Sequence, residues 1–230
     1  MSVKESGSGN TDHRIRPVAR IHTDFPAKFG IPRQSGITGE LESRIVFEPE
    51  FSNPDAVRGI EEFSHLWLIW EFSENVRDPK KWSPTVRPPR LGGNTRVGVF
   101  ATRSSFRPNS LGLSVVRLKA VETGENGMPV LVVTGADMMD GTPVFDIKPY
   151  IPFADSHPEA KGGFTDQTKE YGLDVRIPEE FLTLLPEEKR APLRTVLSQD
   201  PRLDANDEKN EIAEKTVVVT ALPNCLYAWL

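Results

Sequence analysis

Twenty of the 230 residues are proline, well above the roughly 5% of an ordinary chain. Proline fixes φ and has no N–H for a helix ladder, so a chain this rich in it does not build a helical bundle. What fills the space between prolines points to strands. Leu41, Ser43, Ile45 and Phe47 alternate with Glu42, Arg44 and Val46, the period-two pattern of a half-buried strand. Leu66-Trp67-Leu68-Ile69-Trp70 is apolar at every position and predicts a central strand covered on both faces. Arg96–Thr102, Leu113–Val121 and Val130–Thr134 add further short strands. Proline and glycine turns join them, with no long amphipathic helix between. The pattern predicts a mainly β fold, an antiparallel sheet or barrel rather than a doubly wound sheet. In Asn53-Pro54-Asp55-Ala56-Val57-Arg58-Gly59 the asparagine caps a short helical turn, proline takes its first position and glycine ends it.

The character changes after Tyr150. Asp155–Thr168 is polar, contains Gly162-Gly163 and reads as a linker. Pro178-Glu179-Glu180 opens a helix, with proline and acids in the first turn where the helix dipole favours them. Leu193, Val196 and Leu197 form the apolar stripe of a second helix, and Thr216–Thr220 is one more strand. The expected organisation is a mobile tail over residues 1–12, a β domain over 13–155 and a small α+β appendage over 156–230.

Charge is unevenly spread. Lys and Arg number 28 against 33 Asp and Glu, for a net charge of −5. Between Arg77 and Arg107, however, Arg77, Lys80, Lys81, Arg87, Arg90, Arg96, Arg103 and Arg107 face one acid, Asp78, so this window is +7 and the other 199 residues sum to −12. Such a stripe suits an anion or polyanion; solvated arginines on loops are the alternative. The single cysteine, Cys225, permits no internal disulfide and fits a reducing compartment. No apolar run approaches the roughly 18 residues of a membrane span, and the first residues lack a signal-peptide apolar stretch. A cytoplasmic protein without membrane attachment is expected.

Standard site signals are missing. No glycine-rich fingerprint stands between a strand and a helix, and His13, His22, His65 and His157 show no metal-ligand spacing, so no metal is expected. Four segments are unusual for a purely structural domain: Ile31-Pro32-Arg33-Gln34-Ser35-Gly36; Val86–Asn94, with Arg87 and Arg90 flanking Pro88-Pro89; Phe100–Ser114, with Arg103 and Arg107; and Asp137–Tyr150, with Asp137, Asp140, Asp146 and Lys148. Arginines held among prolines, glycines and asparagines have few conformations to lose, which suits recognition of carboxylate or phosphate. The aspartates with Lys148 equally suit a structural ion-pair loop.

Together and in this order the four segments resemble the TsaA/TrmO (YaeB) family of S-adenosylmethionine-dependent tRNA adenine N6-methyltransferases. The similarity runs from about Arg20 to Arg202 and includes Asp55-Ala56-Val57-Arg58-Gly59, Phe63-Ser64-His65-Leu66-Trp67 and Gln199-Asp200-Pro201-Arg202. The resemblance implies a small antiparallel β-barrel, a methyltransferase without a Rossmann fold, assembled as a homodimer. It implies S-adenosylmethionine as cofactor and, as substrate, N6-threonylcarbamoyladenosine next to the anticodon of threonine tRNA. Carried over position by position, the cofactor contacts fall on Pro32, Arg33 and Gln34; on Ser73 and Glu74; on Arg103 and Leu113; and on Thr134, Gly135, Ala136 and Asp137. Two features depart from the family. Ser73 stands where many relatives have histidine, and the sequence after Arg202 is atypical.

Methylating N6 of a carbamoylated adenosine requires loss of its proton, because the lone pair is delocalised into purine and carbonyl. Asp140, Asp146 and Tyr150 are the candidate bases, and the sequence does not choose among them. Unpaired anticodon-loop bases enter a pocket at little cost. Arg87, Arg90, Arg107 and Lys148 are the candidate tRNA contacts, with Trp82, Phe106 and Tyr150 as possible stacking surfaces. Two other functions fit the same residues: a non-catalytic RNA-binding or adaptor barrel, and a methyltransferase of this fold acting on another small acceptor.

Overall fold

The computed structural model describes residues 13–28, 30–39, 41–75, 82–167, 172–199 and 216–218. The tail over 1–12, Cys225, Arg77, Lys80, Lys81 and the Asp200-Pro201-Arg202 segment lie outside the described residues.

Among the described residues eight strands form before residue 150: β1 (Ala19–His22), β2 (Glu42–Phe47), β3 (His65–Glu71), β4 (Thr85–Val86), β5 (Val97–Gly98), β6 (Leu111–Thr123), β7 (Pro129–Thr134) and β8 (Thr142–Pro149). Six of them close an antiparallel barrel in the order β1-β2-β7-β6-β3-β8, with β8 returning to β1. Closure follows from the alternation. Ser43 and Ile45 of β2 and Leu66, Leu68 and Trp70 of β3 point inward and meet Ile21, Val116, Leu131, Val133 and Val144 in one apolar core. Shielding that much apolar surface is the main drive for the barrel. The β6–β7 hairpin turns at Asn126-Gly127, where glycine takes φ +75° and Asn126 Oδ1 accepts from Met128 N at 3.0 Å.

Two strand expectations need correction. β3 is not covered on both faces: His65, Trp67, Ile69 and Glu71 alternate with its buried residues and are only half-buried. The sheet is closed on itself, so only its inner face meets the core. Arg96–Thr102 is not one strand either. Val97–Gly98 pair with Thr85–Val86, and the chain then turns through a 3-10 helix over Val99–Ala101. Three of these strands were not expected from pattern: β1, β4 and β8. The helical turn at Pro54–Val57 is a 3-10 turn capped by Asn53, whose Oδ1 accepts from Asp55 N at 2.9 Å.

The later residues give α1 (Pro152–Asp155), β9 (Asp174–Arg176), α2 (Glu179–Leu182), α3 (Glu187–Ser198) and β10 (Thr216–Val218), the last parallel to β9. The segment read as a linker contains a 3-10 helix over Gly163–Gln167. One proline does lie inside a helix: Pro192 is buried in α3 and leaves the Glu188 carbonyl without its usual intrahelical donor. Leu182, Leu185, Leu193, Val196 and Leu197 pack against Phe25 and Leu41 in a second core. Those partners belong to the connection between β1 and β2. The C-terminal helices therefore buttress the loop that carries Pro32, Arg33 and Gln34. No helix among the described residues is long and apolar enough to cross a membrane.

Candidate functional site

One end of the barrel opens into a cleft of about 480 Å³. Strand pairing places it: Glu71 at the end of β3 lies opposite Leu111 at the start of β6, and Trp70 opposite Gly112. The connection from β7 to β8 enters beside them with Asp137, Met138 and Met139, and the 32–34 turn closes a further side. Four segments distant in sequence thus share one wall.

The floor is a hydrogen-bonded chain. A Cβ on Gly112 would lie 2.2 Å from the Trp70 ring, so only glycine lets the indole lie across β6. From there Trp70 Nε1 donates to Ser114 Oγ at 3.0 Å, and Ser114 Oγ donates to Asp137 Oδ1 at 2.6 Å. Trp70 and Ser114 are both buried, so neither has water as an alternative partner. Burial pushes the Asp137 carboxyl above its ordinary 3.8, opposed by the Ser114 hydroxyl, backbone N–H groups of Asp137 and Ser35, and the Arg103 charge. The turn is fixed to the same segment: Gly36 N donates to Gly135 O at 2.8 Å. Gly135 has φ +80°, and a Cβ there would stand 3.1 Å from Gly36 Cα.

Around this floor Arg103 donates to Gln34 Oε1 at 2.7 Å. Arg33 Nε donates to the Gln199 carbonyl at 2.9 Å, and Arg90 donates to Gln199 Oε1 at 2.8 Å. Gln199 follows α3 directly, so that helix holds two of the arginines singled out in the sequence. Lys28 Nζ donates to the Glu74 carbonyl at 3.1 Å.

Of the proposed cofactor contacts, Pro32, Arg33, Gln34, Ser73, Glu74, Arg103, Leu113 and Asp137 all line the cleft. Thr134, Gly135 and Ala136 do not; they are buried and support it, with Gly135 anchoring the turn. Arg107, expected on a phosphate-binding stripe, also lines the cleft, and its Nη1 braces the loop by donating to the Thr102 carbonyl at 2.7 Å. Arg87 is exposed.

The three alternative base candidates are not gathered at the cleft. Asp140 adjoins the cleft-lining Met139, but its Oδ1 lies 3.2 Å from His22 Nδ1 and accepts from Thr23 N at 3.1 Å. Asp146 pairs with Lys148 at 2.9 Å, along β8 opposite Ile69 and Trp67. Tyr150 packs on His65 and Trp67 with ring centroids 6.2 and 5.9 Å apart. His65 and Glu71 are six steps apart on β3, roughly 20 Å at ~3.4 Å per residue, so Tyr150 and Lys148 stand toward the far end of the barrel. The three lie within eleven residues of sequence yet are spread out, because β8 runs away from the cleft. The sequence reading missed Trp70, Gly112, Ser114, Met138 and Met139. A serine at an inward position of an apolar strand was the available signal for Ser114. Among the described residues no three His, Cys, Asp or Glu side chains cluster as metal ligands.

A closed antiparallel barrel whose end loops build a cleft, in a sequence with no glycine-rich phosphate loop, places the fold outside the Rossmann class. The tRNA-methyltransferase O N-terminal domain matches residues 20–156, and the chain belongs to that family. It is 44% identical over 198 residues to the tRNA (adenine(37)-N6)-methyltransferase of Escherichia coli K12, covering 82% of each chain. The Homo sapiens protein of the same name is 41% identical over 142 residues, which cover 61% of this chain and 30% of that one. A crystal structure of TrmO from Pseudomonas aeruginosa superposes with a TM-score of 0.63 at 33% identity, covering 84% of both chains.

Proposed function

We propose that this chain is an S-adenosylmethionine-dependent tRNA adenine-N6 methyltransferase acting on N6-threonylcarbamoyladenosine beside the anticodon of threonine tRNA. The single observation that carries the cofactor assignment is the cleft itself. It joins three guanidinium groups, a fixed carboxylate and an apolar wall in about 480 Å³, a donor set that fits an amino-acid carboxylate, a ribose diol and a purine. The family membership and the curated relatives' names support an adenine N6 of tRNA as the methyl acceptor; the threonylcarbamoyl group and threonine tRNA rest on the resemblance alone.

The residues have separable tasks. Asp137, held by Ser114, binds the ribose hydroxyls, and Arg33 and Arg103 bind the carboxylate. Leu113 and Met138 provide apolar cover. Ser73 and Glu74, which start the turn after β3, complete the wall. S-adenosylmethionine, when bound, supplies an electrophilic methyl group on a positively charged sulfur. Because that charge is lost as the methyl leaves, the protein's main contribution is alignment in a site shielded from water. Asp140 is the proton acceptor we assign, since it alone among Asp140, Asp146 and Tyr150 adjoins a cleft-lining residue; it releases its contact with His22 to act. Arg87 and Arg90 contact tRNA phosphates, and Arg107 reaches the substrate at the cleft mouth.

In the same reading residues 13–155 form the catalytic barrel and 156–230 its C-terminal appendage, and the enzyme works as a cytoplasmic homodimer. Mass spectrometry of tRNA nucleosides from a strain lacking the protein tests the assignment. The expected result is loss of the N6-methylated threonylcarbamoyladenosine alone. An unchanged nucleoside profile contradicts it.

A further inference from the structure

Two aromatic rings stand in solvent beside the cleft. Phe100 is 73% exposed and Trp82 43%, with ring centroids 6.1 Å apart and planes inclined by 38°. The Arg107 guanidinium lies 5.9 Å from the centre of the Phe100 ring, and Arg107 also lines the cleft. Keeping a phenylalanine this exposed forfeits its burial energy, so a cluster of such rings marks a contact surface rather than core.

The rings are held by rigid backbone. β4 and β5 pair through Thr85↔Gly98 and Val86↔Val97, and Val99 N donates to the Pro84 carbonyl at 2.9 Å, which carries the ribbon to the point where both aromatics emerge. Val99 is buried and anchors the 3-10 turn that presents Phe100. At the other end of the same ribbon Arg87 and Arg96 are exposed. From Trp82 to Arg107 the sequence contains five arginines and no acid.

An apolar patch alone would suit a protein partner. Aromatic rings carried on a stretch of chain with five arginines and no acid, one of the arginines against Phe100, instead match a polyanion whose repeating unit has a flat π face, a single-stranded nucleic acid. We propose that Phe100 and Trp82 form a stacking platform for unpaired nucleotides of an RNA loop, flanking the base that enters the cleft. The platform rests on the reading of the chain as a tRNA methyltransferase.

The test uses the full chain and a synthetic anticodon stem–loop RNA carrying 2-aminopurine in its loop. The wild-type protein should bind it and quench the fluorophore by stacking. Phe100→Ala should weaken binding by about 5- to 150-fold and relieve the quenching, the range alanine substitution gives for one stacked base. Because no charge is removed, the salt dependence of binding should not change, and neither should affinity for S-adenosylmethionine. Phe100→Trp should restore both signals. Equal binding and quenching by wild type and Phe100→Ala overturns the platform while leaving the methyltransferase reading intact. Dissociation of a dimer by Phe100→Ala in sedimentation also overturns it, since the rings would then be covered by a second copy. Absence of RNA binding by the wild type overturns both readings.

Discussion

Ser114 donates its hydroxyl hydrogen to Asp137 across 2.6 Å, and it has that proton to give because Trp70 supplies the hydrogen bond Ser114 accepts. The arrangement stabilises the ionised carboxylate against burial, which pushes its pKa up. A carboxyl whose folded pKa lies above the ordinary value contributes stability that is fully present below 3.8 and lost as pH rises through the raised value. At neutral pH the ionised group therefore costs stability. Asp137→Asn should raise Tm at pH 7, with the gain shrinking toward pH 3.8, while weakening S-adenosylmethionine binding by about 1.5–3 kcal/mol, the scale of a charged hydrogen bond. Ser114→Ala should move the pH dependence of cofactor affinity upward. Calorimetric titration across pH measures both.

Gly112 is fixed by the Trp70 ring rather than by its backbone angles. In Gly112→Ala the new methyl carbon would clash with the buried Trp70 indole, which must shift to make room, and overpacking of this kind costs about 3 kcal/mol. Tm should fall by roughly 6–12 °C for a chain of this size, and displacement of the indole should uncouple Ser114 from Asp137. Thermal melts with near-ultraviolet circular dichroism of the tryptophans test this.

The second core makes α3 part of the site's support. Leu193 is 1% exposed and packs with Phe25 and Leu41, so Leu193→Ala should cost about 2–5 kcal/mol and weaken cofactor binding by loosening the turn at Arg33. The partly exposed Lys189–Asp24 pair, at 3.2 Å, should matter much less, and Lys189→Ala should cost about 1 kcal/mol or less. Denaturant melts paired with cofactor titration distinguish the two variants.

How far the sequence discloses this architecture depends on the range of the interactions involved. Period-two alternation in residues 41–47 and the apolar runs of β6 and β7 are local signals, and they located three barrel strands. β1 is only four residues long and β8 carries Asp146 and Lys148 outward, so neither shows a clean pattern. The family resemblance implied Arg33 and Asp137 as one site, but could not show that Gln199 ties Arg33 to Arg90, because 166 residues separate the first pair. Nor could they separate Asp140 from Tyr150, ten positions apart, since a strand converts that spacing into distance.

Arg87 is exposed, so its removal should cost no fold. Arg87→Ala should lower the slope of log K for tRNA against log salt by about 0.7, the value for one single-strand phosphate contact. Filter binding across a salt series, with cofactor affinity as the control, decides it.

The central claim is methyl transfer to a base that already carries a threonylcarbamoyl group. Such an N6 is a poorer nucleophile than the free amine of adenosine, so preference for it has to come from contacts that the added group makes in the site. Single-turnover methylation of threonine tRNA with and without the threonylcarbamoyl group is the most direct measurement. The account predicts rapid transfer to the modified tRNA and little or none to the unmodified one; equal rates on both would contradict it.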